Sequence, residues 1–241
     1  MELGYWDLKG FAEPIRWLIR YLKLEVKETN PKTPEDWFAN TKVNLGLLFA
    51  NLPYLIDGDF NLTESCAIPV YLIRKYGNPT EQLLGKDIQE EARVRMIDGV
   101  LGDIRLALMK VIFGPKNPAE ARVAFEKELL VSSVIPTKAN FLSNCLGDKD
   151  FLFGHLTYAD FMLAYYTEFV SAFIFSLDLE SPFYAHPNLV QHMKRVHSLP
   201  GVKDRYESSK SIAYAAAFYL PFKLLTAEEV EQRANKTTST K

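Results

Sequence analysis

The chain changes character at Gly77-Asn78-Pro79, and that change fixes the kind of fold it can adopt. Before this tripeptide, short apolar runs alternate with helical periodicity; after it, strand signals nearly vanish. The first part gives a strand at 3–5, a helix over 14–24, an extended segment over 25–29 and a polar stretch. A strand at 54–56, a turn at Asp57-Gly58-Asp59, a strand at 60–62 and a helix over 67–76 follow. This order is a βαβ unit followed by ββα. In the first helix Pro14 stands near the start, and Ile15, Leu18, Ile19 and Leu22 recur at i, i+3, i+4 and i+7, which buries one stripe. Gly77 and Pro79 stop the last helix and open a linker.

Beyond the linker the periodicity is helical. Residues 87–111 read as one long helix with Val94, Ile97, Leu101, Ile104 and Leu108 on one face, and 120–146 as a second, bent at Pro136. Leu156-Thr157-Tyr158-Ala159-Asp160-Phe161 is a helix start: Thr157 caps, Asp160 reaches back, and Leu156 staples onto Phe161. The helix it opens is apolar all round, which places it at the centre of a bundle. Helices over 187–199 and 202–210 follow, and the polar Thr/Lys tail from Ala234 is expected to lack order. The expected fold is an α/β domain over 1–78, an all-α helical bundle over 87–222 and a partly disordered tail over 223–241.

Composition removes several functions. Lysine and arginine number 28 against 30 acidic residues, a net charge of −2, so nothing electrostatic favours nucleic acid or an anionic membrane. No apolar run approaches the ~20 residues that span a bilayer, and Met1 is not followed by a leader pattern, so a cytoplasmic protein is expected. The two cysteines, Cys66 and Cys145, are far apart, which suggests neither a disulfide framework nor a metal site. Cys66, beside a helix start, reads either as an activated thiol or as a small core residue.

The block Asn51-Leu52-Pro53-Tyr54-Leu55-Ile56-Asp57-Gly58, followed by Leu62-Thr63-Glu64-Ser65-Cys66-Ala67-Ile68, carries the chemistry. Proline donates no backbone hydrogen bond, so Pro53 at a strand start implies an edge, a turn or a cis peptide, with neighbouring backbone groups free for a peptide-like ligand. Thr63 or Ser65 can cap the next helix, whose first amides suit a carboxylate or phosphate. On spacing alone, an ordinary strand, Asp-Gly turn and capped helix explains the same residues without a ligand.

Taken together, Leu3-Gly4-Tyr5-Trp6-Asp7-Leu8-Lys9-Gly10, the Asn51–Gly58 block, Thr63-Glu64-Ser65 and the capped helix start at Leu156–Phe161 resemble the cytosolic glutathione transferases, most closely the mu class. The resemblance runs from Met1 to about Leu220. It implies a thioredoxin-like first domain, a helical second domain, a homodimer, and conjugation of glutathione, as co-substrate, to apolar electrophiles, with no further cofactor. By resemblance Tyr5 is the catalytic tyrosine, donating a hydrogen bond to the glutathione sulfur. Leu52, beside a cis Pro53, meets the cysteinyl part, and Glu64 and Ser65 the γ-glutamyl carboxylate. Trp6, Trp37, Lys42 and Asn51 meet the glycyl end and peptide backbone, and Asp103 reaches the γ-glutamyl amine of the partner subunit. Leu8, Phe11, Leu106 and Phe113 form the electrophile pocket; Phe113 replaces a tyrosine of the mu class, so hydroxyl assistance from that position is missing. Phe49 resembles an aromatic key inserted into the partner subunit, the alternative being a core phenylalanine. Outside the resemblance Tyr5 is a strand-end aromatic, and Lys42 and Asp103 are solvated charges. A non-catalytic ligand-binding homologue and a glutathione-dependent isomerase or prostaglandin-type synthase are the other functions the resemblance leaves open.

Overall fold

The computed structural model describes residues 1–215, 220 and 222–238. Four short strands, β1 (Glu2–Gly4), β2 (Lys27–Thr29), β3 (Tyr54–Asp57) and β4 (Phe60–Thr63), form one sheet in the order β2-β1-β3-β4. β1 pairs parallel with β2 and antiparallel with β3, and Leu3 lies opposite both Glu28 and Leu55. β3 and β4 form the hairpin expected around Gly58, whose φ of +63° is the left-handed conformation an Asp-Gly turn needs. The parallel crossover is α1 (Glu13–Tyr21), and α3 (Ala67–Tyr76) follows the hairpin. The polar stretch between β2 and β3 is not structureless: a π-helical turn at Asp36–Thr41 leads into the short α2 (Lys42–Asn44).

Helices make up the rest: α4 (Ile88–Phe113), α5 (Pro118–Lys127), α6 (Val134–Leu146), α7 (Tyr158–Ser176), α8 (Pro187–His197), α9 (Val202–Ser209) and α10 (Ala227–Thr238). The stripe expected on α4 is buried at all five positions. α7 is buried from Tyr158 to Phe175, as the centre of a bundle must be. Its start is held by the Asp160 carboxylate, which accepts from the Thr157 N–H (2.8 Å), the Thr157 hydroxyl (2.9 Å) and the Leu152 N–H (2.8 Å). Among the described residues no helix is long and apolar enough to cross a membrane.

Four local expectations need correction. The helix read over 120–146 is two helices: a π-helical turn at Glu128–Ser132 ends at Ser133, whose φ of +55° breaks the run three residues before Pro136. Neither Thr63 nor Ser65 caps α3; Cys66 stands at the cap position without a side-chain bond, and the Glu64 carbonyl accepts from Ala67 and Ile68 instead. The tail expected to lack order from Ala234 continues α10 to Thr238, anchored by the buried Ala227 and Val230; residues 239–241 lie outside the described residues. In α1, burial is not one stripe, because every residue from Glu13 to Ile19 is buried between α3 on one side and α7 and α9 on the other.

That sandwiching places charge in the interior and joins the two halves of the chain. Arg205 of α9 grips Glu13 with a two-pronged bond, Nε to Oε1 at 2.9 Å and Nη2 to Oε2 at 2.7 Å. Burial pushes the Glu13 carboxyl up, but Arg205, Arg16 and Lys9 together outweigh it and hold the group below the ordinary carboxylate range. Arg16 also donates through Nη1 to the carbonyls of Leu8 (2.8 Å) and Lys9 (3.2 Å), which pins the turn between β1 and α1.

Candidate active site

Tyr5 follows β1 directly, and its N–H still donates to the Thr29 carbonyl at 3.1 Å. Its neighbour Gly4 is required: a Cβ there would lie 1.9 Å from the Tyr54 ring, which crosses it. The chain then turns through Trp6–Lys9 into a 3₁₀ turn at Gly10–Ala12 and returns over the Tyr5 ring. The Phe11 N–H donates to the Tyr5 hydroxyl oxygen at 2.9 Å, which leaves the phenolic proton free to be given elsewhere. Burial pushes the Tyr5 hydroxyl up to about 12, against the Phe11 bond and the charges of Arg16 and Arg105. At neutral pH it is a phenol, a donor and not a base.

A cavity of about 160 Å³ opens from this hydroxyl. Of the four residues expected to line it, Leu8, Phe11 and Phe113 do; Leu106 does not, and points outward from α4 with 60% of its surface exposed. Sequence reading missed much of the wall, including Met109 and Ile112 from α4, Phe169 and Phe173 from α7, and Tyr214. Met109 lies one helical turn before Phe113, a spacing that could have found it. Phe169 and Phe173 carried no such signal, because their apolar neighbours are identical in kind. A larger cavity, about 680 Å³, lies between α8, α9 and α10. It shares no lining residue with the first, and Tyr5 is not part of it.

The remaining expected residues border the Tyr5 turn unevenly. The Leu52–Pro53 peptide is cis, and Leu52 packs on the cluster of Tyr5, Leu8 and Ala12. Trp6 lines the cavity. Glu64 is exposed with φ +75°, and Ser65 is half-buried beside it at the head of α3. Trp37 is 2% exposed and stacks on Tyr54, so almost none of its surface is open in this chain. Lys42 sits at the head of α2 with its ammonium 5.6 Å from the Phe38 ring, and Asn51 is exposed. Asp103 is on the outer side of α4, ion-paired with Lys138 at 2.8 Å and outside the cavity wall. Phe49 is 73% exposed, which rules out the core reading. Cys66 is neither of the things expected of it: it is exposed, and desolvation together with Asp98 and Glu64 pushes its thiol up, away from activation.

Residues 1–74 match the family model "Glutathione S-transferase, N-terminal domain", and residues 102–209 match "Glutathione S-transferase, C-terminal domain". A class-mu 26 kDa isozyme of Fasciola hepatica is 34% identical over 88% of this chain and 91% of its own. The chain belongs to the glutathione S-transferase family. The class-mu 26 kDa isozyme of Schistosoma japonicum is 35% identical over 88% of this chain and 90% of its own, and glutathione S-transferase Mu 1 of Bos taurus 33% over 83% and 94%. The crystal structure of the glutathione S-transferase Blo t 8 superposes with a TM-score of 0.76 at 28% identity, covering 92% of this chain and 99% of that one. A rat hPGDS complexed with a quinoline shares the fold at a TM-score of 0.68, 24% identity and coverage of 86% and 96%. This transferase is therefore an enzyme of glutathione conjugation with a mixed four-stranded first domain and a helical second domain. The two other functions left open by the resemblance are not favoured, since its relatives are named transferases.

The closeness of Gly10 to the catalytic candidate gives a direct test. Gly10 has φ +44°, and a Cβ there would meet the Tyr5 hydroxyl oxygen at 2.5 Å and its ring at 2.6 Å. Gly10→Ala should lower stability by about 1–3 kcal/mol in chemical denaturation. It should also lower kcat/KM by about ten- to a hundredfold, because the hydroxyl has to move. Unchanged kinetics would mean that the position of this hydroxyl does not matter to the reaction.

Proposed function

We propose that Tyr5 activates glutathione by donating its phenolic hydrogen bond to the sulfur, and that the resulting thiolate attacks an apolar electrophile held in the cavity beside it. The Phe11 N–H on the Tyr5 oxygen carries this reading: it occupies the oxygen and leaves the proton to be directed at a sulfur. A cysteinyl thiol has a pKa of about 8.5, so little is thiolate at neutral pH. Lowering it by about two units requires roughly 2.7 kcal/mol, within reach of one charge-assisted bond in a partly dry site. The thiol proton leaves to solvent, and the new carbon–sulfur bond forms as the leaving group departs with its electron pair or as an activated double bond accepts the addition.

The tripeptide lies, in this reading, between the head of α3 and the Asn51–Pro53 corner. Among the described residues the N–H groups of Ser65 and Cys66 donate to no protein carbonyl, which supports a γ-glutamyl carboxylate there, with Glu64 beside it. Leu52 offers its backbone to the cysteinyl part, and Trp6, Trp37, Lys42 and Asn51 serve the glycyl end and the peptide backbone. Asp103 serves a neighbouring subunit's γ-glutamyl amine and has to share or release Lys138 to do so. The apolar wall of Leu8, Phe11 and Phe113 suits electrophiles with an aromatic or alkyl body. The enzyme works as a homodimer in the cytosol; the exposed Phe49 and the two free cysteines support these two parts of the reading.

Two variants test the proposal. With chlorodinitrobenzene as electrophile, Tyr5→Phe should lose about ten- to a hundredfold in kcat at neutral pH while KM for glutathione changes little; unaltered turnover would remove Tyr5 from the chemistry. In sedimentation, Phe49→Ala should weaken the dimer by about 2 kcal/mol or more, and a dimer of unaltered affinity would assign Phe49 no part in assembly.

A further inference from the structure

Nothing in thiolate formation or transfer uses Glu168, yet it is a buried carboxylate with an ammonium, a phenol and an imidazole gathered on it. It lies mid-way along α7 with its side chain 2% exposed. Lys9, whose side chain is fully buried, donates from Nζ to Glu168 Oε1 at 2.9 Å. The Tyr214 hydroxyl donates to the same oxygen. His197 brings Nε2 to 3.3 Å from Oε2, at ion-pair distance without hydrogen-bond geometry. Burial pushes the Glu168 carboxyl up, but the Lys9 charge leads the opposing contributions and holds the group below the ordinary carboxylate range. Burial pushes His197 down to about 4, so at neutral pH its imidazole is uncharged, stacked at 3.7 Å on Tyr206.

Of the two donors on Oε1, Tyr214 lines the transfer cavity and Lys9 stands just behind its wall. Lys9 stands between Leu8, which lines it, and Gly10, which lies against the Tyr5 hydroxyl. The N–H groups of Lys9 and Gly10 donate to the carbonyls of Ala213 (2.8 Å) and Tyr214 (3.0 Å), so the turn over Tyr5 and the segment carrying Tyr214 are bonded through backbone and side chain alike. The Tyr214 ring forms part of the cavity wall and lies 4.6 Å from the Lys9 ammonium. A buried ion pair gives little net stability over apolar residues of the same volume; what it adds is one permitted arrangement. We propose that Glu168 is a positioning residue for the transfer reaction, holding the Lys9–Gly10 turn against Tyr5 and the Tyr214 ring against the electrophile from a single carboxylate oxygen. The proposal rests on the reading of Tyr5 and its cavity as the site of transfer.

The test is steady-state kinetics of Glu168→Gln, Tyr214→Phe, their combination and the pair Lys9→Met with Glu168→Leu, in the full-length enzyme beside Tyr5→Phe. The Lys9/Glu168 pair removes both charges together, so no orphan charge stays buried and the fold is spared. KM for the electrophile should rise about threefold or more in Glu168→Gln and in the pair, with KM for glutathione within about twofold, and kcat/KM for the electrophile should fall about tenfold. Glu168→Gln and Tyr214→Phe combined should cost less than the product of their separate losses, because the first weakens and the second removes the same bond. A charge-free pair that recovers both thermal stability and wild-type kinetics would reduce Glu168 to structural support and overturn the proposal. Losses for Glu168→Gln and Tyr214→Phe that multiply independently would overturn it too. Full turnover by Tyr5→Phe would instead strike the thiolate reading, and the two KM values would still decide the role of Glu168.

Discussion

The bond from the Phe11 N–H to the Tyr5 hydroxyl is the contact on which the site depends, and much of the fold serves to make it. It requires the chain to turn back on itself within six residues of β1, through a glycine with positive φ, at a place where no side chain fits. A turn this tight is not held by local propensity. Arg16 holds it from below through the Leu8 and Lys9 carbonyls, and the helical domain holds it from above through Glu168 and the carbonyls of Ala213 and Tyr214. The result is a phenol kept protonated by burial, with its oxygen already satisfied and its proton still to give.

The two halves of the chain are joined by charge as well as by packing. Glu13, paired with Arg16 on its own helix and with Arg205, and Glu168, paired with Lys9, are interior carboxylates that each take a cation from across the domain boundary. Such pairs are expensive to desolvate and costly to break on one side only, so they add geometric specificity more than stability. Their placement on either side of the Leu8–Ala12 turn makes the orientation of the domains and the setting of Tyr5 one structural problem. Aromatic packing continues the same wall, with Phe11 edge-on to Phe169 at 6.1 Å and Phe169 stacked on Tyr165 at 5.2 Å.

What could be read from the sequence was what is local or periodic. The α4 stripe is a five-point repeat, and the start of α7 is defined by two residues three apart. The Asn51–Gly58 block announced the hairpin because glycine acts on its own backbone, while Pro53 by itself left an edge, a turn or a cis peptide open and only the family resemblance chose the cis bond. The contacts that complete the site are different in kind. Lys9 and Glu168 are separated by 159 residues, and each alone reads as an ordinary surface charge. Phe169 and Phe173 line the cavity while their helix neighbours fill the core, a distinction of direction that composition does not carry. Leu106 was misplaced for the same reason, being apolar on an amphipathic helix yet turned outward. The break at Ser133 was hidden because a positive φ at a serine leaves no mark in the pattern, whereas Pro136 attracted attention and sits harmlessly in the first turn of α6.

The central claim is that a buried, protonated Tyr5 stabilises a thiolate, and the ultraviolet thiolate absorbance of glutathione bound to the wild-type enzyme, titrated with pH, measures it directly. The account predicts an apparent thiol pKa about two units below the free value of about 8.5, with the protein's own Tyr5 still protonated throughout, since its hydroxyl titrates near 12. A bound thiol that titrates at its free value would contradict it.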